Sequence, residues 1–207
     1  VKIEAKEISL NIKGHVIFEN ISFTIEGPQM VAITGPSGCG KTSLLNCLGL
    51  IQKISNGAIL INGKDCSNLT EKERIDFWQK QAAFIYQDYG IIEDENVRYN
   101  ITFSNKQKND KEISEILKQV GLINKIDTQA SVLSGGEKQR LGIARALYKK
   151  AKFIFADEPT ASLDAKNREI IIDLLKSCVN EGAIVILATH DERLSMICNS
   201  VINMGKI

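Results

Sequence analysis

The 207 residues include 26 Lys+Arg and 25 Asp+Glu, a formal net charge of +1, with 43% hydrophobic and 25% charged residues. This is the composition of an ordinary globular protein, long enough for one domain with a full core and a small inserted lobe, and it gives no electrostatic footprint for nucleic acid or acidic lipid. No apolar run approaches the roughly 18 residues of a membrane span, and residues 1–6 alternate charge with apolar side chains instead of forming a signal-peptide core, so a cytosolic chain is expected.

The elements follow in chain order. Residues 3–10 alternate loosely as a strand, and 16–18 and 21–25 read as two more, broken by Gly14 and by Gly27-Pro28. The continuous apolar run 30–34 has the mark of a strand covered on both faces. A glycine-rich turn comes next, then a helical pattern with Leu44, Leu45, Leu48 and Ile51 on one side. Residues 58–61, ending at Asn62-Gly63, predict a strand and a hairpin turn. Thr70 and Glu73 have capping-box spacing and open a short helix through about Gln79. Residues 83–86 read as another strand.

The stretch from about Asp88 to Ala130 has no strong strand. Its clearest element is a helix over 110–120, with Ile113, Ile116, Leu117 and Val120 at helical spacing and Gly121 as the stop. Residues 104–109 are polar and read as a loop. After Leu133 the β-α rhythm resumes: helix 135–148, strand 153–156, helix 166–180, strand 183–188, a helix from near Asp191, and residues 201–204 with Gly205 at the end. The fold class is α/β. We expect a single domain over 1–207. Residues 1–87 and 131–207 form a mostly parallel sheet core with an N-terminal antiparallel β subdomain, and 88–130 form an inserted α-helical subdomain.

The cysteines are Cys39, Cys47, Cys66, Cys178 and Cys198. Their number is odd, none is spaced as C-x-x-C, and the histidines do not cluster with them. Free thiols are expected, not a disulfide framework or a zinc site.

Three segments carry chemistry. Gly35-Pro36-Ser37-Gly38-Cys39-Gly40-Lys41-Thr42 fits the phosphate-loop pattern in full, between a buried strand and an apolar-faced helix that continues with Ser43. Glycines let consecutive backbone N–H groups curl around phosphate oxygens, and the helix N-terminus adds positive dipole. Lys41 is expected to bridge the β- and γ-phosphates of ATP and Thr42 to ligate Mg²⁺, the P-loop NTPase arrangement. Next, the strand 153–156 ends in Asp157 and Glu158. Asp157 is placed to hold Mg²⁺ and Glu158 to polarise an attacking water. Third, Leu133-Ser134-Gly135-Gly136-Glu137 opens a helix. A capping box accounts for Ser134 and Glu137, but not for two glycines where glycine weakens a helix. Bare N–H groups beside a serine hydroxyl make a second anion site.

In these motifs and their order the whole chain resembles the nucleotide-binding subunits of ATP-binding cassette (ABC) transporters. It looks most like the exporters of the lipoprotein-release, macrolide and antimicrobial-peptide group. Gln87, after the strand 83–86, matches the Q-loop glutamine. Ala161-Ser162-Leu163-Asp164 matches the D-loop, and His190 matches the switch histidine. The resemblance implies an ATPase working as a head-to-tail homodimer. ATP and Mg²⁺ on one P-loop are closed over by Ser134, Gly135, Gly136 and Glu137 of the other subunit. Glu158 serves as base, and His190 contacts the γ-phosphate and the water. Gln87 ligates Mg²⁺ and reports to the helical lobe. Asp164 crosses the interface. The implied partners are integral-membrane permease subunits on a separate chain, with this chain peripheral on the inner face of the cell membrane and no nucleic acid bound.

The sequence departs from that family in places. Where an aromatic residue generally stacks on adenine, it has Ile12-Lys13-Gly14-His15; His15 or Ile12 could serve. Glu137 stands where glutamine is common, the insert between Gln87 and Ser134 is short, and no regulatory domain is expected after 204–207. Cys39 is either a filler in the P-loop or a thiol whose modification blocks ATP. Tyr89, Ile91 and Ile92 either meet the permease or pack into the lobe. Two other classes remain as alternatives. A translation or DNA-repair ABC ATPase calls for tandem cassettes, coiled coils or basic surfaces, and none is visible. A P-loop kinase or GTPase leaves 133–137 unexplained and lacks an N-K-x-D tetrapeptide.

Overall fold

Alternating burial in the first strands makes a sheet with one covered face, and continuous burial in the later strands makes a sheet covered on both. The computed structural model of the chain describes residues 1–104, 110–161 and 163–206. Strands β1 (Lys2–Ile12) and β2 (His15–Glu26) form an antiparallel hairpin closed by Lys13 and Gly14, both at positive φ. The two strands expected over 16–25 are one. Asn20 takes φ 53° as a bulge, and its N–H donates to Ser9 Oγ at 3.0 Å, so the ladder continues past it.

Strand β3 (Gln29–Thr34) leads through the glycine-rich turn into α1 (Lys41–Leu48). Ile51 does not extend that helix. Leu50 turns into the left-handed region at φ 61° and is buried in its place, leaving Ile51 exposed. Strands β4 (Asn56–Ile61) and β5 (Lys64–Asp65) complete a four-stranded antiparallel sheet in the order β2-β1-β4-β5. Its last turn has Asn62 and Gly63 at positive φ, as the Asn-Gly pair predicts. Thr70 and Glu73 form a full capping box on α2 (Glu71–Lys80).

The second sheet has five parallel strands in the order β6-β7-β8-β3-β9, with β6 Ala82–Ile85, β7 Phe153–Asp157, β8 Ile184–Ala188 and β9 Ser200–Asn203. Its side chains divide between two cores. Met30, Ala32, Ile154, Ala156, Val185 and Leu187 face one cluster; Val31, Ile33, Phe153, Phe155, Ile184 and Ile186 face the other. The first cluster lies under α5 (Gly135–Lys149), α6 (Ala165–Asn180) and the helical segment; the second lies against α1 and the antiparallel sheet. Full burial of each such side chain contributes about 1.5–3 kcal/mol, so a polar substitution in β7 or β8 would damage a core whichever way it pointed.

Between β6 and α5 the chain forms α3 (Val97–Thr102) and α4 (Asp110–Gln119), with Ile113, Ile116, Leu117 and Val120 buried as their spacing predicts. Helix α3 has no counterpart in the expected elements. It is short, and its key residue is polar: fully buried Asn100 bonds both the N–H and C=O of Ile92 and the C=O of Asn96. The loop expected over 104–109 lies, beyond Ser104, outside the described residues. A short α7 (Glu192–Met196) follows β8. No described helix is long and apolar enough to cross a membrane.

Candidate functional site

Because all five strands of the second sheet run parallel, the segments that leave their carboxyl ends gather along one edge. These segments are the P-loop after β3, Gln87 after β6, Asp157 and Glu158 at β7, and His190 after β8.

In the P-loop, Gly35, Gly38 and Gly40 have φ of 146°, 79° and 95°, conformations that suit glycine. Pro36, Ser37 and Gly38 are exposed at the crest. Gly40 caps α1 without any side-chain bond, and the first turn holds no acid, so the helix end is open to an anion. A Cβ on Gly40 would come within 2.7 Å of the Ile17 side chain, and one on Gly35 within 2.7 Å of Cys39 Sγ. The loop is therefore seated on β2. The half-buried Cys39 thiol turns inward against the second core, which favours its role as filler. Lys41 Nζ donates to the carbonyls of Gly35 and Pro36, each at 3.0 Å, spanning the loop where phosphate oxygens would lie. Ser43 is half-buried one residue past Thr42.

Thr42 Oγ1 donates to Asp157 Oδ1 at 3.1 Å, joining α1 to β7. Burial pushes the Asp157 carboxyl above its ordinary value, and the Glu158 charge adds to this; the Thr42 bond and Lys41 pull it back only in part. Glu158 sits at φ 46° just past the strand. Its carboxylate accepts from the Thr189 hydroxyl (3.3 Å) and the His190 N–H (3.1 Å), and Oε1 lies 2.7 Å from His190 Nδ1. The two expected catalytic residues are thus in direct contact. Thr189, fully buried, was missed by sequence reasoning; a polar residue between a buried strand and the histidine was the available signal. Ile85 pairs with Ala156, so exposed Gln87 and Glu158 lie equally far beyond one rung of the sheet.

Helix α5 opens as its spacing predicts. Ser134 Oγ accepts from Glu137 N–H, and Glu137 Oε2 accepts from Ser134 N–H at 2.9 Å. Burial opposes ionisation of Glu137, but Lys125 at 2.6 Å and the Ser134 bonds outweigh it and hold its pKa below the ordinary value. Both glycines are hemmed in. A Cβ on Gly135 would meet the Tyr89 hydroxyl at 2.5 Å, and one on Gly136 would meet the Asn167 amide at 2.7 Å. Asn167 was not anticipated. It accepts from Arg140 at 2.7 Å and donates to Asp164 at 2.7 Å, and Asp164 caps α6. Asp164 is thereby tied to the start of α5. Ser162, in the same motif, lies outside the described residues.

The structure therefore makes two groups. Lys41, Thr42, Asp157, Glu158 and His190 form one, with Gln87 at its border. Ser134, Gly135, Gly136, Glu137 and Asp164 form the other. Among the described residues no hydrogen bond or ion pair joins the two. At the tip of the β1–β2 hairpin, Ile12 pairs with His15 and both are exposed. Of the three apolar residues after Gln87, Tyr89 lies on Gly135 and Ile91 packs on the first core, while Ile92 stays 42% exposed.

Comparison with known proteins supports the family resemblance and the fold. The family model described as ABC transporter matches residues 18–161. The uncharacterized ABC transporter ATP-binding protein MJ1508 of Methanocaldococcus jannaschii is 36% identical, over 98% of this chain and 95% of that protein. The macrolide export ATP-binding/permease protein MacB of Mannheimia succiniciproducens is 34% identical over 91% of this chain, which spans only 30% of MacB. The dimeric, post-hydrolysis structure of the ATP-binding cassette MJ0796 bound to ADP and Pi superposes with a TM-score of 0.87 at 28% identity, covering 98% of this chain and 95% of that one.

Proposed function

The chain belongs to the ABC transporter family of ATPases, and from that premise we propose that it powers a membrane permease by ATP-driven head-to-tail dimerisation. One observation carries the reading: the γ-phosphate machinery is divided between two groups that, among the described residues, no hydrogen bond or ion pair joins. The P-loop group binds and cleaves, and the Ser134–Gly136 end of a second copy completes it.

On this reading the P-loop amides take the β- and γ-phosphates, and Lys41 exchanges its bonds to Gly35 and Pro36 for phosphate oxygens. Glu158 exchanges its contact with His190 for the attacking water and accepts a proton from it, and His190 moves to the γ-phosphate. Thr42 Oγ1 and Asp157 Oδ1, already 3.1 Å apart, and the side-chain carbonyl of Gln87 offer the oxygen donors that Mg²⁺ prefers. Held there, the ion would neutralise charge on the phosphates. Exposed Ile12 and His15 take the place of an aromatic platform for the base.

We place the permease on a separate chain and this chain on the inner face of the cell membrane. Ile92, with Phe103 (50% exposed) and Tyr86 (37%), offers an apolar surface beside the glutamine turn for that partner. The resemblance to a macrolide exporter favours export.

The test is Glu158→Gln. Hydrolysis should fall by about 10²- to 10⁴-fold while ATP stays bound, and the variant should elute as a dimer with MgATP. A variant that turns over at the wild-type rate, or stays monomeric at saturating MgATP, would overturn the reading.

A further inference from the structure

Gly135 opens the helix that serves the partner's nucleotide, and Tyr89 follows the glutamine that attends the chain's own. The two meet. An added Cβ at Gly135 would lie 2.5 Å from the Tyr89 hydroxyl and 3.4 Å from Cζ. Tyr89 holds φ 69°, a left-handed conformation that a bulky aromatic residue rarely adopts, so its surroundings impose it. Its N–H donates to Tyr86 C=O at 3.0 Å, closing the turn that contains Gln87. Gly90 C=O accepts from Arg145 Nη2 at 2.9 Å, and an added Cβ at Gly142 would lie 4.0 Å from the Tyr89 carbonyl. The residues after Gln87 are thus fixed along α5, with the phenol reaching its first turn.

We propose that Tyr89 is a positioning residue that couples the glutamine turn to the cross-dimer phosphate site. Gln87 and Tyr89 share one closed turn, so a shift of Gln87 toward the bound nucleotide carries Tyr89 with it. The ring then moves the Gly135 end of α5, because close-packed groups transmit small displacements. Occupancy of a chain's own P-loop is in this way relayed to the helix end that grips the partner's ATP. The relay makes nucleotide binding at the two sites cooperative. The inference rests on the head-to-tail reading and adds to it a reason for glycine at 135: room for the phenol, besides access for phosphate.

The contact distances supply the test. In the Glu158→Gln background, the MgATP concentration at half-dimerisation is measured beside the nucleotide affinity of the monomer. Gly135→Ala should raise that concentration by about tenfold, within the usual range of site-to-site coupling. Adding Tyr89→Phe to Gly135→Ala should restore it, because the nearest ring atom to the new methyl is then Cζ at 3.4 Å, an ordinary contact. Gln87→Ala and Tyr89→Ala should each weaken dimerisation, and together no more than the worse of the two. Monomer affinity should be unchanged in the Tyr89 variants. The proposal is overturned if Gly135→Ala dimerises normally, if Tyr89→Phe fails to rescue it, or if the Gln87 and Tyr89 effects add. Absence of any dimer in Glu158→Gln itself defeats the head-to-tail reading, and this inference with it.

Discussion

The N-terminus of α1 and that of α5 both meet phosphate in the proposed dimer, yet α1 starts without a side-chain cap and α5 starts with a reciprocal one. Gly40 gives α1 no side-chain cap and no acid in its first turn. The start of α5 has a reciprocal capping box and the Glu137 carboxylate, which Lys125 neutralises at 2.6 Å. The surroundings differ too. The P-loop rests on Ile17 of β2 and on Met204 just past β9, both packed into the second core. The α5 end is flanked by Tyr89 and Asn167, side chains from the glutamine turn and the α6 cap. An open end on a rigid base can bind nucleotide alone. An end already satisfied by its own carboxylate gains little from phosphate unless a partner presents it in place, which restrains useless binding of free anions.

The contrast is broken most directly by one substitution in each end. Lys41→Met should weaken nucleotide binding to the monomer by about 10- to 100-fold, the worth of charge-assisted phosphate bonds. Ser134→Ala should leave monomer affinity alone, abolish the dimer trapped by Glu158→Gln, and cost about 0.5–2 kcal/mol of stability through the lost cap. Titration calorimetry and gel filtration on both variants check this. If Ser134→Ala weakens monomer binding as much as Lys41→Met, the two ends do not serve separate copies.

The α5 end is sharpened by Lys125→Met. Without that ammonium the Glu137 charge stands uncompensated where the partner's γ-phosphate approaches. Dimerisation should weaken by a few-fold, consistent with about 0.3–1 kcal/mol for a charge at a helix terminus, and the loss should shrink in high salt. An unchanged midpoint at low salt would show that Glu137 does not face the phosphate.

How far the sequence could be read follows the same division. The P-loop, Asp157 and Glu158 were legible because each motif is local: a few consecutive residues fix both the backbone and the chemistry. The two sheets were legible from strand periodicity, and the capping boxes at Thr70 and Ser134 from spacing alone. What stayed hidden depends on residues far apart in the chain. That Gly135 makes room for Tyr89 and Gly136 for Asn167 is a fact of packing that no window of sequence contains. Asn100 is polar, yet it is fully buried because the Ile92–Asn96 segment needs its side chain to satisfy backbone groups. Ile51 was misplaced because periodicity could not foresee that Leu50 would leave the helix at positive φ.

The smallest effect concerns the α1 side, where charge is left partly unrelieved. The Asp157 carboxyl is held above its ordinary value chiefly by burial, with Glu158 adding to the burden. A raised folded-state pKa means that the folded protein binds the proton more tightly than the unfolded chain. The stability this gives is complete below the unfolded value of 3.8 and is lost as pH rises through the higher folded value. At neutral pH the ionised group is a cost carried for the sake of the nucleotide site. Asp157→Asn should therefore raise Tm at pH 8 by about 1–2 °C, a small gain because the carboxyl is only half-buried and solvent screens much of its charge, while abolishing hydrolysis. Asparagine keeps an oxygen to accept from Thr42, so packing is preserved. The gain should narrow as pH falls toward the unfolded value of 3.8, as wild-type Asp157 takes up its proton. A gain that is the same at both pH values, or a loss at pH 8, would show that Thr42 and Lys41 already compensate the charge, and the α1 side would then be as well neutralised as the start of α5.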